Sequence, residues 1–590
     1  MRISEQKVMG AGTLLFGLLA FLFFWRLYPF HVCYQEQYQL FLFSSSYMID
    51  VLSKPGGLAE YVSTFLTQFF ISSAAGAFIL AFLLVLMQRL VYVSAKSLGG
   101  FRAVFYPLTF LPSLFYWMLL CNENYLLVGL VAPIMALGLF CFCAGRGRSL
   151  WWGYLLLMPL GLYFFAGISC WIWLLLWMAY EWQKREWSRK VYGFYFVWGI
   201  LVCLLFPLAL KYAGWMYPWK LLFFGTSFFR FPLLGTSSVV LVYLLMLCGV
   251  PLLTAWLSRK VKKEGKLMLV VGVLQIGVLF GGGGFLILHA ADFLKEEIMA
   301  YDYHTLHRQW KKSIERAEQQ APSSPLSVAC LNLALCKEGM MADRMFHYYQ
   351  NGTEGLLPSF TKDFTASLIT SEIYYHIGFV NTAQRYAFEA MECIPNLQKN
   401  VRVIKRLAET NIINGEYVVA RKYLHILQRT LFYRDWATET LAILSDEKKV
   451  EQNAEWMQLR KYRTKKDFFF SEQEPDMMLG FVFSQDSTNR IAYEYLMAVC
   501  LLRKDLPSFL KYYPMGKSIG YARIPESYQE ALVYAWGLQH KDMKGIPYQI
   551  DNQVLSRVNA YGQIYTSYAN AEPLLRKQYS GTYWYYLHFR

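Results

Sequence analysis

Carboxylates are scarce in the first half of this 590-residue chain. Residues 1–290 hold 8 Asp and Glu against 21 Lys and Arg, whereas residues 291–590 hold 33 and 36. So few acids exclude a soluble domain with an ordinary mixed-charge surface over the first 290 residues. Paired cysteines are lacking too. Seven of the eleven lie inside or beside apolar runs, where they act as small buried hydrophobes. Cys330, Cys336, Cys393 and Cys500 show no paired spacing, which excludes a disulfide framework and a zinc motif. Cys141 and Cys143, two apart within one apolar run, make only a weak metal pattern. A basic tract for nucleic acid is also missing. The net charge of +16 is spread in short clusters between apolar runs, where it marks membrane orientation rather than a polyanion partner.

What is abundant is apolar. The chain is 56% hydrophobic and 18% aromatic, and only 17% charged. A bilayer core of about 30 Å takes roughly 20 apolar residues per helix. Nine candidate spans follow, at about 8–25, 68–93, 104–121, 125–144, 150–166, 168–182, 191–212, 236–257 and 267–289. The run 150–182 is long enough for one helix or two short ones. Arg146 and Arg148 precede it, and Lys184, Arg185, Arg189 and Lys190 follow. Both ends want the cytoplasmic side, so a hairpin turning near Gly167 is expected. The first span carries no small-residue cleavage site before "RLYPF" and is taken as an uncleaved anchor. The tetrad Gly281–Gly284 in the last span permits close helix packing or a break. An odd number of spans puts the N-terminus in the cytoplasm and everything after His289 outside.

The second half carries a different period. Counting from Gly378, Ala383, Tyr386, Ala390 and Pro395 fall five, eight, twelve and seventeen residues on. From Gly415, Ala420, Tyr423 and Leu427 fall at the first three offsets, and Ser371 and Ala408 stand seven before their glycines. Glycine permits the turn between two helices, small residues let them cross closely, and proline ends the second. This pattern resembles the tetratricopeptide repeat over 364–430. The expectation is an all-α protein in which a transmembrane domain, 1–290, precedes an extracytoplasmic α-solenoid, 291–590. Such a stack holds a peptide or protein partner on its concave face, or simply caps the membrane domain. The stretches 307–322 and 490–540 read as further helices of that stack, and 462–488 as an interruption.

Four acids fall on the outer side of this topology: Glu36, Asp50, Glu60 and Glu123. Glu5, Glu181, Glu186 and Glu264 fall on the cytoplasmic side. The first three outer acids share the loop 27–67, which is too long to lack structure and divides into two amphipathic helices. In the first, Leu40, Phe43, Tyr47 and Val51 make a stripe, and one turn back Glu36 joins it. In the second, opened by Pro55-Gly56-Gly57, an apolar stripe runs from Leu58 through Tyr61, Val62, Phe65 and Leu66 to Phe69. Glu60, Ser63, Thr64 and Thr67 lie opposite, so this helix is expected in the headgroup layer. A carboxylate on an apolar face has a raised pKa and can serve as a base; alternatively Glu36 caps the loop or pairs with Arg26. Asn122, Glu123 and Asn124 offer oxygens to a divalent cation or a sugar hydroxyl, and are equally good turn formers. In 213–235, Lys220 and Arg230 among Trp215, Tyr217 and Trp219 suit a lipid phosphate, or the aromatics form only an interfacial belt. Ionisable residues near mid-membrane are lacking, which disfavours a coupled transporter.

This layout resembles the polytopic glycosyltransferases that use lipid-phosphate-linked sugars, the C-type superfamily. In that group a long first outer loop holds a catalytic acid, and a second acidic motif follows the third span. The resemblance implies catalytic roles for Glu36 and Glu123, with Asn122, Asn124, Lys220 and Arg230 binding the donor. It departs from the family in having one acid rather than two at "NEN". The stretches "YQEQYQLF" and "KPGGLAEYVSTFLTQFF" also look like an uncharacterised bacterial family of multi-pass membrane proteins with a helical C-terminal region. That likeness places the chain in a bacterial inner membrane, among membrane lipids, and the span parity then makes the second half periplasmic. It carries no activity, and a non-enzymatic scaffold binding envelope proteins is the alternative.

Overall fold

The computed structural model describes residues 2–145, 152–184, 188–213, 219–230, 237–261, 266–394, 399–463, 471–540 and 543–590. Among them the structure is helical, relieved only by one antiparallel bridge between Tyr125 and Phe229. Two compact units emerge. The first comprises Met1–Phe293, Pro395–Val401 and Arg429–Phe432; the second comprises Leu294–Ile394, Arg402–Gln428 and Tyr433–Arg590.

The first unit is built from α1 (Arg2–Leu22), α2 (Pro29–Glu36), α3 (Ser45–Leu52), α4 (Gly57–Thr67), α5 (Ser73–Ser97), α6 (Leu111–Leu120) and α7 (Val128–Gly145). Then follow α8 (Trp152–Ala166), α9 (Cys170–Lys184), α10 (Arg189–Ile200), α11 (Phe206–Tyr212), α12 (Trp219–Phe224), α13 (Ser237–Lys260), α14 (Lys266–Ile276) and α15 (Gly283–Ala290). Eight stretches are long and apolar enough to cross a membrane, one fewer than expected. The difference lies at Leu156–Lys184, which qualifies once by length. It is not one rod. Gly167 takes φ +58° and breaks it. On α10, Trp198 Nε1 donates to the Leu156 carbonyl at 3.0 Å, while the adjacent Gly199 packs on Leu174. In a straight helix Leu156 and Leu174 would stand roughly 27 Å apart. Hence α8 and α9 double back at Gly167.

Helices form here because an apolar run in lipid must satisfy its backbone internally. The third span begins as a 3₁₀ segment, Ala103–Phe110, where Pro107 cannot donate its backbone bond. The Gly281–Gly284 tetrad causes no break. The helix passes through it by a π turn, Gly277–Gly282, and only Gly283 approaches a neighbour, Leu114. Polar contacts inside the bundle are few and interhelical. Gln88 Nε2 donates to Thr109 Oγ1 at 2.8 Å, and Thr13 Oγ1 donates to Gln88 Oε1 at 3.3 Å. Large apolar side chains such as Leu14, Phe78 and Val273 point outward, as in a protein solvated by lipid. Glu181, near the C-terminal end of α9, is fully buried.

The contacts sort the loops to two ends of this bundle. At one end Tyr28 Oη donates to the Cys121 carbonyl, Asp292 N donates to Tyr28 Oη, and Leu126 N donates to the Phe228 carbonyl. At the other, Arg259 Nε donates to the Gly99 carbonyl, Arg102 N donates to Ser258 Oγ, and Tyr180 Oη donates to the Ala144 carbonyl.

In the second unit, the two glycines of the repeat pattern sit where it requires. Phe364–Ile377 ends on Gly378 (φ 110°), and Val380–Glu392 follows. Val401–Asn414 leads to Gly415 (φ 81°), and then Tyr417–Leu427. Ser371 Oγ donates to the Ala383 carbonyl at 2.8 Å across the first pair, and Ala383, Tyr386, Ala390 and Ala420 are buried. Tyr423, at the second aromatic offset, is only half-buried. Further helices cover Trp310–Gln319, Arg490–Leu502 and Glu526–Gln539. In 462–488 the helix Pro475–Gln485 interrupts the irregularity, and 464–470 lies outside the described residues, as does Pro395.

Candidate functional site

The first outer loop does not form the helix expected of it. The helix holding Glu36 starts at Pro29 and ends at Glu36, where bonds from Tyr38 N to the Gln35 carbonyl and from Gln39 N to the Glu36 carbonyl close a turn. Residues 39–43 form no regular element, and Ser44 caps α3 by accepting from Tyr47 N at 3.3 Å. Three serines in a row favour a cap over helix interior, and that breaks the supposed stripe. Glu36 therefore shares no face with Tyr47 and Val51. Nor is the stretch interfacial: every residue from His31 to Phe41 is buried.

The second helix, α4, is present but turned over. Its polar positions Ser63, Thr64 and Thr67 are buried, and its apolar stripe is only half-buried. The hydroxyls tolerate burial because they bond back to their own helix. Ser63 Oγ and Thr64 Oγ1 donate to the Glu60 carbonyl, and Thr67 Oγ1 donates to the Ser63 carbonyl. Burial raises the Glu60 pKa, against the pull of Lys54.

Glu36 is 6% exposed. Its carboxyl makes no hydrogen bond or ion pair among the described residues; Arg26 turns to the Trp25 ring instead, at 4.0 Å. Burial pushes the Glu36 pKa up to about 8, and no neighbouring charge contributes. Two residues on, the Tyr38 ring carries the Arg230 guanidinium at 4.1 Å. Arg230 is itself buried, 1% exposed. Its Nη1 donates to the Glu123 carbonyl, and its backbone N donates to the Asn124 carbonyl at 2.9 Å. Burial draws the Arg230 pKa down to about 10, opposed by Tyr38 and the Glu123 carboxylate. Asn122 acts as a turn former, its Oδ1 accepting from Asn124 N at 2.9 Å. Asn124 Nδ2 lies 3.5 Å from Glu123 Oε1.

Four expected residues, Asn122, Glu123, Asn124 and Arg230, thus gather around one turn by direct contact; Glu36 lies two residues before Tyr38, whose ring carries Arg230, and its own carboxyl is not joined to that turn. Lys220 is the second residue of α12, and its side chain lies outside the described residues, as do Trp215 and Tyr217. Two buried polar atoms in this cluster, Asn124 Oδ1 and Arg230 Nε, have no hydrogen-bond partner among the described residues. Among those residues, too, no group of three His, Cys, Asp or Glu side chains is arranged to hold a metal ion.

What sequence reasoning missed is how the loops are locked together. Gly56 (φ 70°), Gly167 (φ 58°) and Gly225 (φ 66°) meet backbone to backbone. A Cβ on Gly56 would strike the Gly225 carbonyl, and one on Gly225 would strike Gly167 Cα. Gly56 N donates to the Tyr163 carbonyl at 3.0 Å. Only glycine accepts both the left-handed backbone and the close approach. Pro55-Gly56-Gly57 was a legible signal for a turn; the partners of Gly56, 111 and 169 residues away, were not.

The fold and site define a polytopic helical membrane protein with a buried polar cluster at one end of its bundle and a helical second unit. The chain belongs to the family of unknown function DUF6057, whose model matches residues 5–590. No curated protein and no solved structure matches it.

Proposed function

We propose that the protein is a membrane-embedded glycosyltransferase of bacterial envelopes. It moves a sugar from a lipid-phosphate donor to an acceptor hydroxyl at the bundle end that holds Glu36. The observation that carries this is the Glu36 carboxyl, buried with no hydrogen-bond or ion-pair partner among the described residues and raised by burial to about 8. An unpaired buried carboxyl costs stability, and such groups concentrate where a proton must move. Glu36 takes the acceptor's proton as that oxygen bonds to the anomeric carbon. The sugar–phosphate bond breaks, and its electron pair leaves with the lipid phosphate. The open donor Arg230 Nε and open acceptor Asn124 Oδ1 give the donor's phosphate and hydroxyls places to bond. Glu123 orients Arg230 and is the second carboxylate, with Asn122 shaping its turn.

The positive-inside pattern supports cytoplasmic placement for the opposite bundle end. There Lys96, Arg102, Lys184, Arg259 and Lys260 cluster, and the two ends alternate along the chain. The site and the second unit then face the periplasm.

The test is Glu36→Gln and Glu123→Gln in a strain where deletion has a phenotype. Loss of the phenotype-rescuing activity with normal insertion is expected of both; full rescue by both would sink the enzyme. Activity should rise with pH through about 8, as Glu36 ionises. A second reading, a scaffold, is favoured by the glycine-turned helix pairs between 364 and 427. In that case crosslinked envelope partners disappear on removing residues 300–590, and Glu36→Gln changes nothing.

A further inference from the structure

At the bundle end away from Glu36, α9 and α13 enclose a groove of about 530 Å³. Its walls are apolar, made by Ala179, Leu252 and Leu253 with the indoles of Trp182 and Trp256. Both indoles are at least half exposed, at 66% and 50%. Its rim is cationic. Arg259 lines it, and the Lys260 ammonium sits 3.9 Å over the Trp256 ring. Arg259 is pinned: Nε donates to the Gly99 carbonyl and Nη2 to the Leu98 carbonyl, which fixes its charge at the mouth of the groove. Neither cation has a carboxylate partner among the described residues.

Two exposed indoles set the groove at the membrane–water boundary, and the two cations of the positive-inside cluster at its rim have no carboxylate partner among the described residues. Tryptophan favours the membrane–water boundary, apolar walls favour acyl chain, and paired cations favour a phosphodiester. We infer that this groove binds an anionic phospholipid, its phosphate between Arg259 and Lys260 and the upper part of a chain against Leu252, Leu253 and the indoles. The site is separate from the Glu36 cluster and stands whether or not that cluster is catalytic.

The experiment uses the full chain purified in mild detergent, with phosphatidylglycerol and phosphatidylcholine of equal chain length as probes. Native mass spectrometry reads the bound-lipid fraction. Phosphatidylglycerol should be retained in preference to phosphatidylcholine. Lys260→Gln should lower that retention about fivefold, and Lys260→Arg should restore it. Lys260 is exposed, so its loss leaves the packing intact. Trp256→Ala should weaken both lipids. Equal retention of the two lipids, or phosphatidylglycerol retention unchanged in Lys260→Gln, overturns the assignment.

Discussion

Two buried glutamates, one in each unit, are treated in opposite ways. Glu36 is left alone, and burial raises its pKa to about 8. Burial would raise Glu372 equally, yet Arg406 and Arg402 pull it down to about 2. Arg406 Nη2 donates to Glu372 Oε2 at 2.6 Å, and Arg402 Nη2 to Oε1 at 3.4 Å. Arg402 also forks onto Asp302, at 2.6 and 2.9 Å, while Arg406 reaches Glu409 at 2.9 Å and the Tyr375 ring at 3.6 Å. Around Glu372 the second unit buries charge and neutralises it within a network. In the first unit the Glu36 carboxyl is buried and left to carry or lose a proton. A network of that kind fixes helix packing; a lone titrating group suits chemistry.

The largest effect should come from breaking the network. Glu372→Gln leaves two buried arginines short of an anion and should cost about 3–5 kcal/mol. Thermal unfolding of the full chain in detergent reads this as a lowered melting temperature. An unchanged midpoint would mean the arginines find other partners.

The mirror experiment is Glu36→Gln, which should stabilise by about 3 kcal/mol at neutral pH. The sign follows from the raised pKa. Below the unfolded value of 4.5 the carboxyl is protonated in both states and its ionisation costs nothing. Between 4.5 and about 8 the unfolded chain releases the proton while the folded one keeps it, so the penalty grows, and it levels off above 8. The variant and the wild type should therefore melt together at pH 4.5 and diverge toward pH 8. A constant difference would show that Glu36 does not titrate as burial dictates.

Glu372 should give the reverse slope. Its contribution is complete above 4.5 and is lost as pH falls toward 2, a loss of about 3 kcal/mol. Wild type should lose that stability over the acid window, and Glu372→Gln should not.

The smallest effects concern the helix turns. Gly378→Ala combines a left-handed backbone with a Cβ only 2.9 Å from Tyr462 Cβ, and should cost about 2 kcal/mol. Gly415→Ala meets open space and should cost only the backbone strain, about 1 kcal/mol. Equal melting shifts for the two would show that the Tyr462 contact yields without cost.

Much of the framework was legible because it is local. Apolar length marks the spans, and the glycine offsets mark the turns at 378 and 415. The turn at Gly167 followed from counting charge on either side of it. The first outer loop was misread because periodicity alone joined Leu40, Phe43 and Tyr47 across three serines that cap rather than continue a helix. The second outer helix was placed correctly along the chain and faced the wrong way. A hydroxyl that bonds to its own backbone can be buried without penalty, and side-chain polarity does not reveal that. The nearness of Arg230 to Glu123 and Tyr38 had no local signal.

The sequence by itself determined the apolar spans, the contrast of charge between the halves, and the glycine-turned helix pairs. Each depends on composition or spacing within a few tens of residues, and lipid or water enforces it directly. Tertiary structure alone decided which carboxylate is left bare and which is matched. The ionisation of Glu36 and Glu372 depends on what the fold brings beside them, nothing for one and two arginines some thirty residues away for the other.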